Sequence, residues 1–600
     1  MIRRSSRRGL RAVCLAVSLT AVSAPPATAL TLLDKLDAAL REVVENPLAG
    51  LSRARVIVSA KPGQLGSLLL TLRLGGFTIL AEHPSIEAVT LDVPRVAVTT
   101  LALLNLVQSI SLDAPTRAVW DESTPSSRLL GTLGHESAYT GSGVGVAVID
   151  SGIAPVPAFQ GRLSSFYDFT ATGKPVAKAA FDDYGHGTHV AGLIGGSPTP
   201  SNGMYGGVAP GVRLVGLKVL DKNGAGYTSH VISAVEFVAK NRTSLGVNVI
   251  NLSLGHPIYE RAVTDPLVRI VEYAVRRGLV VVVSAGNYGV DSATGRIASA
   301  GITSPANAPS AITVGSIDTK DSITRVDDEV APYSSRGPTW YDGFSKPDLV
   351  APGHALTAAV SADSSLWRNH PSLRASSSGT GHYMRLSGTS MAAAVASGVV
   401  ALTLEAHRQS SPTTLPSLTP NAVKAVLQFT ALPLKGDGTS VASDQLAQGA
   451  GSVNAAGATD LAKRLDTKKA VGDWWLTMGV TASSQIGGET WSWSEYLIWD
   501  NHLVWGDTVY VNQRAFAVAI AWDSHIVWGD HVMFGEETVW RTDRSWNTHI
   551  VWGDTNIGRS DGEHIVWGDT TFTEGTVVWG NLATSKAVPM NTFGGASLSP

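Results

Sequence analysis

The sequence has 600 residues, of which 44% are hydrophobic and 16% are charged. A chain of this length exceeds what one hydrophobic core supports, so we expect two to four domains, and the composition excludes fibrous and intrinsically disordered classes. The formal net charge is −3, or −8 without the five arginines of the first 11 residues, and such a mildly acidic chain predicts no nucleic-acid partner.

Residues 1–29 have the layout of a secretory signal peptide. The five arginines precede an apolar run over residues 12–24, and Ala27-Thr28-Ala29 supplies a small-residue cleavage site. This run is too short for a comfortable membrane span. We therefore predict a secreted, extracellular protein with no membrane span in the mature chain. Ser6-Arg7-Arg8 leaves the twin-arginine export route open.

The single cysteine, Cys14, lies within this leader. The mature chain would contain no cysteine, which excludes disulfide bonds, cysteine metal sites and a thiol nucleophile. A secreted protein without disulfide bonds depends for its stability on the size of its core, on bound ions, or on both.

The sequence pattern of residues 30–120 predicts a small α+β unit that begins with a short helical segment. From residue 51 to residue 112, apolar runs and amphipathic stretches follow the order β-α-β-β-α-β, which is typical of a compact two-layer unit. The predicted strands are residues 55–59, 77–81, 87–93 and 107–112, and the predicted helices are residues 64–74 and 95–106. Residues 113–127 are predicted to be a linker.

The sequence pattern of residues 121–465 predicts a larger α/β domain. Helical stretches at residues 230–240 and 265–277 lie between apolar runs, and this alternation favours a mainly parallel sheet with helices on both faces. A last helix at residues 421–429 is predicted to close the domain. The apolar runs have the pattern of strands buried on both faces, and they are residues 144–149, 214–219, 247–252, 279–283 and 311–314.

Residues 466–600 differ abruptly in composition, since 13 of the 16 tryptophans fall after residue 470. A His-Ile-Val-Trp-Gly-Asp motif, with Leu for Ile in the first copy, predicts a β-rich repeat module. Its tryptophans are predicted to form a structural core, and binding of glycans, of a cell surface or of calcium is left open. The copies are residues 502–507, 525–530, 549–554 and 564–569, with a degenerate copy at residues 577–581.

Ser387-Gly388-Thr389-Ser390-Met391-Ala392 is followed by a small-residue stretch, residues 393–401, that lacks proline and charge. The pattern predicts a buried helix whose first turn carries Ser390. A backbone N–H and the positive end of a helix dipole at this position suit an oxygen nucleophile that attacks a carbonyl. The other interpretation of this serine is an ordinary helix cap.

Two further segments carry an acid and a base, which a serine nucleophile needs. Asp150 follows the first predicted strand of the α/β domain, where such sheets place their ligand sites, although it could equally be a turn former. His186 lies three residues before His189. A zinc site is disfavoured because hydrolytic zinc helices space their histidines four apart with a glutamate between. His189 is predicted to be a structural, hydrogen-bonded histidine.

Together these segments resemble the subtilisin-like serine proteases, or subtilases, over roughly residues 130–465. The resemblance implies that Ser390 is the nucleophile, His186 the general base and then acid, and Asp150 the carboxylate that orients the histidine. The matching stretches stand in the family's order Asp, His, Ser, and they are Val148-Ile149-Asp150-Ser151-Gly152, His186-Gly187-Thr188-His189-Val190-Ala191-Gly192 and residues 387–392.

The same resemblance implies a substrate and a second catalytic donor. Ser284-Ala285-Gly286-Asn287 resembles the family's oxyanion segment, so Asn287 would donate to the oxyanion beside the Ser390 N–H. No cofactor is needed for catalysis, and a structural calcium ion is left open. Two stretches resemble the backbone edges that hold an extended polypeptide substrate by strand addition: Gly224, Ala225 and Gly226, and Ser253, Leu254 and Gly255.

The unit at residues 51–112 resembles the family's inhibitory propeptide by its position and pattern. The resemblance implies an intramolecular inhibitor that assists folding, blocks the cleft and is cut off within residues 113–127. A permanent accessory domain is the alternative interpretation. We therefore predict a secreted serine endopeptidase made as a precursor.

Two other classes remain as alternatives. One is a catalytically silent surface-binding protein that acts through the tryptophan repeats. The other is an esterase of the α/β-hydrolase type, which is disfavoured because Ala392 stands where its Gly-x-Ser-x-Gly motif needs the second glycine. The side-chain preference of the substrate pockets is not predicted. Asp182 and Asp183 would either favour a basic substrate side chain near His186 or be solvated.

Overall fold

The computed structural model describes residues 33–45, 53–118, 139–290, 295–376, 379–410, 417–434, 446–467 and 480–494, and five short strands between residues 496 and 567. The predicted signal peptide, residues 119–138, the residues between the C-terminal strands and the degenerate repeat at residues 577–581 lie outside the described residues.

The N-terminal unit is an antiparallel sheet of four strands with a hydrophobic core of its own. The strand order is β2-β3-β1-β4, and Val56, Leu72 and Leu101 are fully buried in this core. The elements are α1 (Ala38–Glu45), β1 (Arg53–Ala60), α2 (Leu65–Leu74), β2 (Thr78–His83), β3 (Ala88–Pro94), α3 (Val96–Leu103) and β4 (Val107–Leu112).

The central domain is built on a nine-stranded sheet of order β16-β15-β13-β11-β6-β9-β7-β8, with β17 paired to β15. Its strands run parallel except β8 and β16. The strands are β6 (Gly145–Asp150), β7 (Leu163–Asp168), β8 (Val176–Ala177), β9 (Arg213–Lys218), β11 (Val249–Leu252), β13 (Val280–Ser284), β15 (Ile312–Asp318), β16 (Glu329–Val330) and β17 (Leu349–Pro352).

Helices cover both faces of this sheet, because alternate residues of each strand point to opposite sides. In β6, Val146 and Val148 join one core, whereas Ala147 and Ile149 join the other. The mainly parallel α/β fold predicted for this domain is confirmed. The helices are α4 (His186–Gly195), α5 (Thr228–Leu245), α6 (Pro266–Arg276), α7 (Ser365–Asn369), α8 (Thr389–Ser410), α9 (Pro420–Phe429) and α10 (Ala455–Ala462).

Helix α8 crosses the interior of the domain. Its small side chains permit close packing, and a Cβ added to Gly398 would lie only 2.5 Å from the Cβ of Val208. Among the described helices, α8 alone is long and apolar enough to cross a membrane, and 94% of its most apolar window is buried inside the domain.

Residues 115–118 were predicted to belong to a linker, but they form a strand, β5 (Pro115–Ala118). It lies between two strands of the central domain, β10 (Ala225–Tyr227) and β12 (Leu254–Pro257), in a sheet of order β10-β5-β12-β14, where β14 is Thr303–Ser304. The linker prediction is wrong here because two strand edges offer unpaired backbone groups, and an extended segment satisfies both edges at once.

The N-terminal unit also packs on the helical face formed by α5 and α6. Ile57, Ile86 and Ala88 share a hydrophobic core with these helices. Arg269 of α6 donates to Ser59 Oγ at 2.9 Å and to the Ile86 carbonyl. The unit is therefore held by apolar contact and hydrogen bonds as well as by β5.

Residues 480–494 pack on the central domain, although the predicted boundary of the C-terminal module was residue 465. They contain a hairpin, β21 (Ser483–Ile486) and β22 (Glu489–Ser492), and the buried Trp493 joins the core that contains α8. The remaining central strands form a small sheet of β18 (Leu356–Ala359), β20 (Tyr383–Leu386) and β19 (Arg374–Ala375).

Five C-terminal strands form a separate sheet in sequence order. The first pairs antiparallel with the second, and the others pair parallel and in register, so that Trp505, Trp528, Trp552 and Trp567 occupy equivalent positions. The strands are β23 (Tyr496–Trp499), β24 (His502–Trp505), β25 (His525–Trp528), β26 (His549–Trp552) and β27 (Ile565–Trp567).

Candidate active site

Three neighbouring parallel strands end at one edge of the central sheet, and each leads into a predicted site segment. Asp150 ends β6, Ser253 follows β11, and β13 leads into Asn287. Helix α4 begins against this edge: a Cβ on Gly187 would lie 2.1 Å from the Gly152 carbonyl oxygen, so only glycine fits there. This close approach brings the start of α4 beside the end of β6.

Asp150 and His186 form a buried hydrogen-bonded pair. Nδ1 of His186 lies 2.8 and 3.0 Å from the two carboxylate oxygens, and both side chains are fully buried. Because an ionised carboxylate only accepts hydrogen bonds, Nδ1 carries the proton and Nε2 keeps its lone pair. Nε2 has no hydrogen-bond partner among the described residues, so it is available as a base.

The Ser390 hydroxyl points toward Ser253, one of the predicted substrate-binding residues. Its Oγ donates to the Ser253 carbonyl at 3.0 Å, and Ser253 Oγ donates to the Ser390 carbonyl at 3.0 Å. The described contacts contain the Asp150–His186 link of the predicted triad but no hydrogen bond from Ser390 to His186. Catalytic hydrogen bonds often tighten only when substrate is bound, and the reaction would require Ser390 Oγ to turn toward Nε2.

Asn287 is oriented by the residue that precedes Ser390. Its Oδ1 accepts hydrogen bonds from both the N–H and the hydroxyl of Thr389, each at 3.0 Å. With the oxygen fixed, the amide nitrogen must point the other way, and Nδ2 is buried with no partner among the described residues. An unused donor of this kind suits a negative oxygen that forms during the reaction.

Asn287→Ala is therefore expected to lower kcat by about 10²–10³-fold with little change in KM. The donor would act on the transition state rather than on the bound peptide. Steady-state kinetics on a peptide substrate measure both constants. Asn287→Asp keeps the acceptor for Thr389 but loses the donor, and it should show a loss at least as large. A kcat within threefold of the parent for Asn287→Ala would contradict the assignment.

The predicted peptide-binding residues surround β5. Ala118 N–H donates to the Gly224 carbonyl at 3.2 Å, and the register pairs Ala225 and Gly255 with Arg117 and Gly226 with Thr116. Leu254 is the partner of Ala118. The two predicted edges therefore hold one extended segment between them.

The two histidines of α4 have different environments. His189 Nε2 lies 3.1 and 3.0 Å from the carbonyl oxygens of Leu356 and Met384. Burial lowers the pKa of His189 to about 3, so it is a neutral, hydrogen-bonded histidine, as expected. No group of three His, Cys, Asp or Glu side chains within the described ranges could hold a metal ion. Structural calcium stays a prediction.

Asp182 matches neither of its two interpretations, whereas the Asp183 side chain is 41% exposed, which fits the solvated interpretation. Asp182 is buried and hydrogen-bonded within the protein, and burial raises its pKa. Asp183 forms an ion pair with Lys218, whose Nζ also donates to the Ser151 carbonyl at 2.6 Å. Neither carboxylate is therefore free to select a basic substrate side chain. Sequence reasoning missed Lys218, because a single lysine at a strand end carries no signal of its own.

The parallel sheet and the Asp–His pair at its edge are the features expected of a serine hydrolase with an α/β fold. A sequence model of the subtilase family matches residues 141–460. The chain belongs to the subtilase family and is a serine endopeptidase of the subtilisin type. The predicted family is thus confirmed, the esterase interpretation is wrong, and a silent binding protein is not favoured.

Several relatives support this placement. Serine protease AprX of Bacillus subtilis is 36% identical over 356 residues, which cover 58% of this chain and 73% of that protein. The extracellular serine proteinase of a Thermus species is 32% identical over 405 residues, which cover 66% of this chain and 84% of that protein. Fervidolysin of Fervidobacterium pennivorans, a keratinolytic enzyme related to subtilisin, shares the fold with a TM-score of 0.50 at 22% identity, over 68% of this chain and 61% of that one.

Proposed function

We propose that the protein cuts polypeptides through an acyl-enzyme on Ser390. His186 Nε2 removes the hydroxyl proton, and Asp150 holds the imidazole in the required tautomer and stabilises its charged form. Asn287 Nδ2 and the Ser390 N–H donate to the oxyanion. His186 then returns the proton to the leaving amine, and water releases the acyl group by the reverse sequence of proton transfers.

We also propose that the chain is exported as a precursor and that residues 30–120 are its intramolecular inhibitor. The observation that carries this proposal is β5, which occupies both peptide-binding edges in the manner of a substrate. Asp113 supports the arrangement because it accepts hydrogen bonds from the N–H and hydroxyl of Ser229, at 2.8 Å each, at the start of α5. The inhibitor would leave the cleft only after it is cut.

The register predicts the bond that is cut. Ala118 pairs with Leu254 in an antiparallel arrangement, and continuing this register by one residue would place Val119 opposite Ser253. The Ser253 carbonyl is the group that Ser390 Oγ contacts. Val119 lies outside the described residues, and the assignment extends the register by one position. We expect cleavage between Val119 and Trp120.

The secreted product is therefore expected to begin at Trp120, and N-terminal sequencing tests this directly. The same result would support export and maturation. An N terminus outside residues 113–130 would contradict the proposed inhibitor, whereas a different bond within that range would contradict only the register.

Ala118→Pro removes the N–H that donates to the Gly224 carbonyl and should slow the cleavage. Pro115→Ala, which removes no N–H, is the matched control.

The cleaved inhibitor is expected to leave more readily as the pH rises from 6.5 to 8. Glu260 of the central domain lies near Asp37 of the N-terminal unit, and the adjoining Ala38 N–H donates to the Tyr259 carbonyl at 3.0 Å. Burial, together with the Asp265 and Asp37 carboxylates, raises the pKa of Glu260 to about 8 from an ordinary 4.5. Because the Asp37 carboxylate leaves with the inhibitor, the pKa of Glu260 is expected to be lower in the separated form. The assembled form then binds more protons between the two pKa values, so rising pH weakens assembly.

One titrating group changes the dissociation constant by up to about tenfold per pH unit. Burial lowers the pKa of His83 to about 4 from 6.5. This pKa difference opposes assembly only below pH 6.5. Between pH 6.5 and pH 8, the carboxyl groups therefore determine the pH dependence. Size-exclusion chromatography of the cleaved complex at pH 6.5 and pH 8 measures the retained fragment. Glu260→Gln should flatten the dependence, and an unchanged pH dependence in that variant would contradict this account.

A further inference from the structure

Asp182 is a buried carboxylate that the catalytic proposal does not use. It stands four residues before His186 and is 3% exposed. One of its oxygens accepts hydrogen bonds from Ser151 Oγ at 2.9 Å and from the N–H groups of Gly185 at 2.8 Å and Tyr184 at 3.3 Å. The other accepts from the N–H of Thr188 at 2.8 Å and from its hydroxyl at 2.6 Å. Five donors thus converge on one side chain.

These donors belong to the two segments that carry the acid and the base. Ser151 follows Asp150 directly, and its Oγ also accepts the Gly187 N–H at 2.9 Å. Thr188 lies in the first turn of α4, two residues after His186, and its hydroxyl accepts the Ala154 N–H at 3.0 Å. Asp182 therefore joins the end of β6 to the beginning of α4 through both of its oxygens.

The helix terminus gives a further reason for a carboxylate at this position. The first N–H groups of a helix lack partners within the helix, and the terminus carries partial positive charge. Asp182 and Ser151 satisfy the N–H groups of Gly185, Gly187 and Thr188. An asparagine side chain at this position has nearly the same shape, but its NH₂ group would face the donors that one of the two carboxylate oxygens now accepts. Two donor groups facing each other at about 2.8 Å would repel.

We propose that Asp182 is a positioning residue, which sets the alignment of Asp150 with His186 and acts on catalysis only through that pair. This inference rests on the proposed triad. Asp182→Asn should lower kcat by about 10–10²-fold, the loss that misplacement of a catalytic group by about 1 Å can cause. KM should change little, because Asp182 makes none of the described contacts with β10 or β12.

A double-mutant cycle separates positioning from general destabilisation. In an Asp150→Asn background the aligned pair is already lost, so adding Asp182→Asn should lower kcat by less than threefold more. Losses that multiply, or an Asp182→Asn variant with parental kcat, would overturn the proposal. The matched control is Asn454→Asp, the reverse exchange at a buried helix cap with three hydrogen bonds, which should leave kcat within threefold.

Ser151→Ala provides a second route if Asp182→Asn fails to fold. It removes the hydroxyl that connects Asp182 to the Gly187 N–H, and it should show a smaller kcat loss that also disappears in the Asp150→Asn background. Full activity of Asp150→Asn would mean that the proposed triad fails. An inactive Asp150→Asn combined with a fully active Ser151→Ala would mean that only the positioning role fails.

Discussion

Replacing Ser390 by alanine is expected to abolish peptide hydrolysis and to leave the precursor uncut. The substitution removes the oxygen that would form the acyl-enzyme, while the small side chain still fits the fully buried start of α8. Loss of the nucleophile of a serine triad lowers turnover by roughly 10⁶-fold. Peptide kinetics measure the first effect, and the size of the expressed protein on a denaturing gel measures the second.

Ser410→Ala, at the other end of the same helix, is the matched control and should mature and turn over normally. Within the described part of the chain, its hydroxyl donates only to the Ala406 carbonyl. Measurable turnover by pure Ser390→Ala would contradict the assignment of the nucleophile. Normal maturation of that variant expressed alone would contradict self-processing and indicate a second protease.

Asp150→Asn is expected to lower kcat by about 10⁴-fold without unfolding the domain. The amide has nearly the same shape, but its NH₂ group facing His186 Nδ1 favours the tautomer whose proton sits on Nε2, where the base must be free. Steady-state kinetics and a thermal melt separate the two effects. The expected result is a large loss of kcat with a small change in melting temperature.

Asp168→Asn gives a matched control for this substitution. Asp168 also ends a strand of the central sheet, is buried, and is paired with Lys178, but it makes no described contact with the site. Its kcat should stay within a few-fold of the parent. Equal kcat losses in the two variants would show that any buried strand-end carboxylate matters and that Asp150 has no special role.

The sheet and the positions of Asp150 and Ser390 were predictable because burial leaves a local pattern in the sequence. A strand covered on both faces must be apolar throughout, as in residues 144–149, and a helical stretch buried on all sides, such as residues 393–401 of α8, lacks charge. The site then follows, since parallel strands that lie side by side end at the same edge. Local sequence therefore determined most of the central fold.

The remaining features depend on partners that are distant in the chain. Residues 115–118 become a strand only because residues 225–227 and 254–257 offer two open edges. Asp182 collects backbone donors that exist only once α4 has formed, so its sequence context allowed both a substrate contact and a solvated side chain. The contact of Ser390 Oγ with the Ser253 carbonyl depends on the side-chain torsion angle of Ser390, which no sequence pattern predicts.

The most direct test of the central claim is to locate the adduct of a fluorophosphonate probe on the mature protein by peptide mapping. Such a probe reacts with an activated serine hydroxyl and requires no knowledge of the substrate. We predict a single adduct, on Ser390, which Asn287→Ala still forms but more slowly and Asp150→Asn forms hardly at all. A stable mature protein that is not labelled, or is labelled at another serine, would contradict the account.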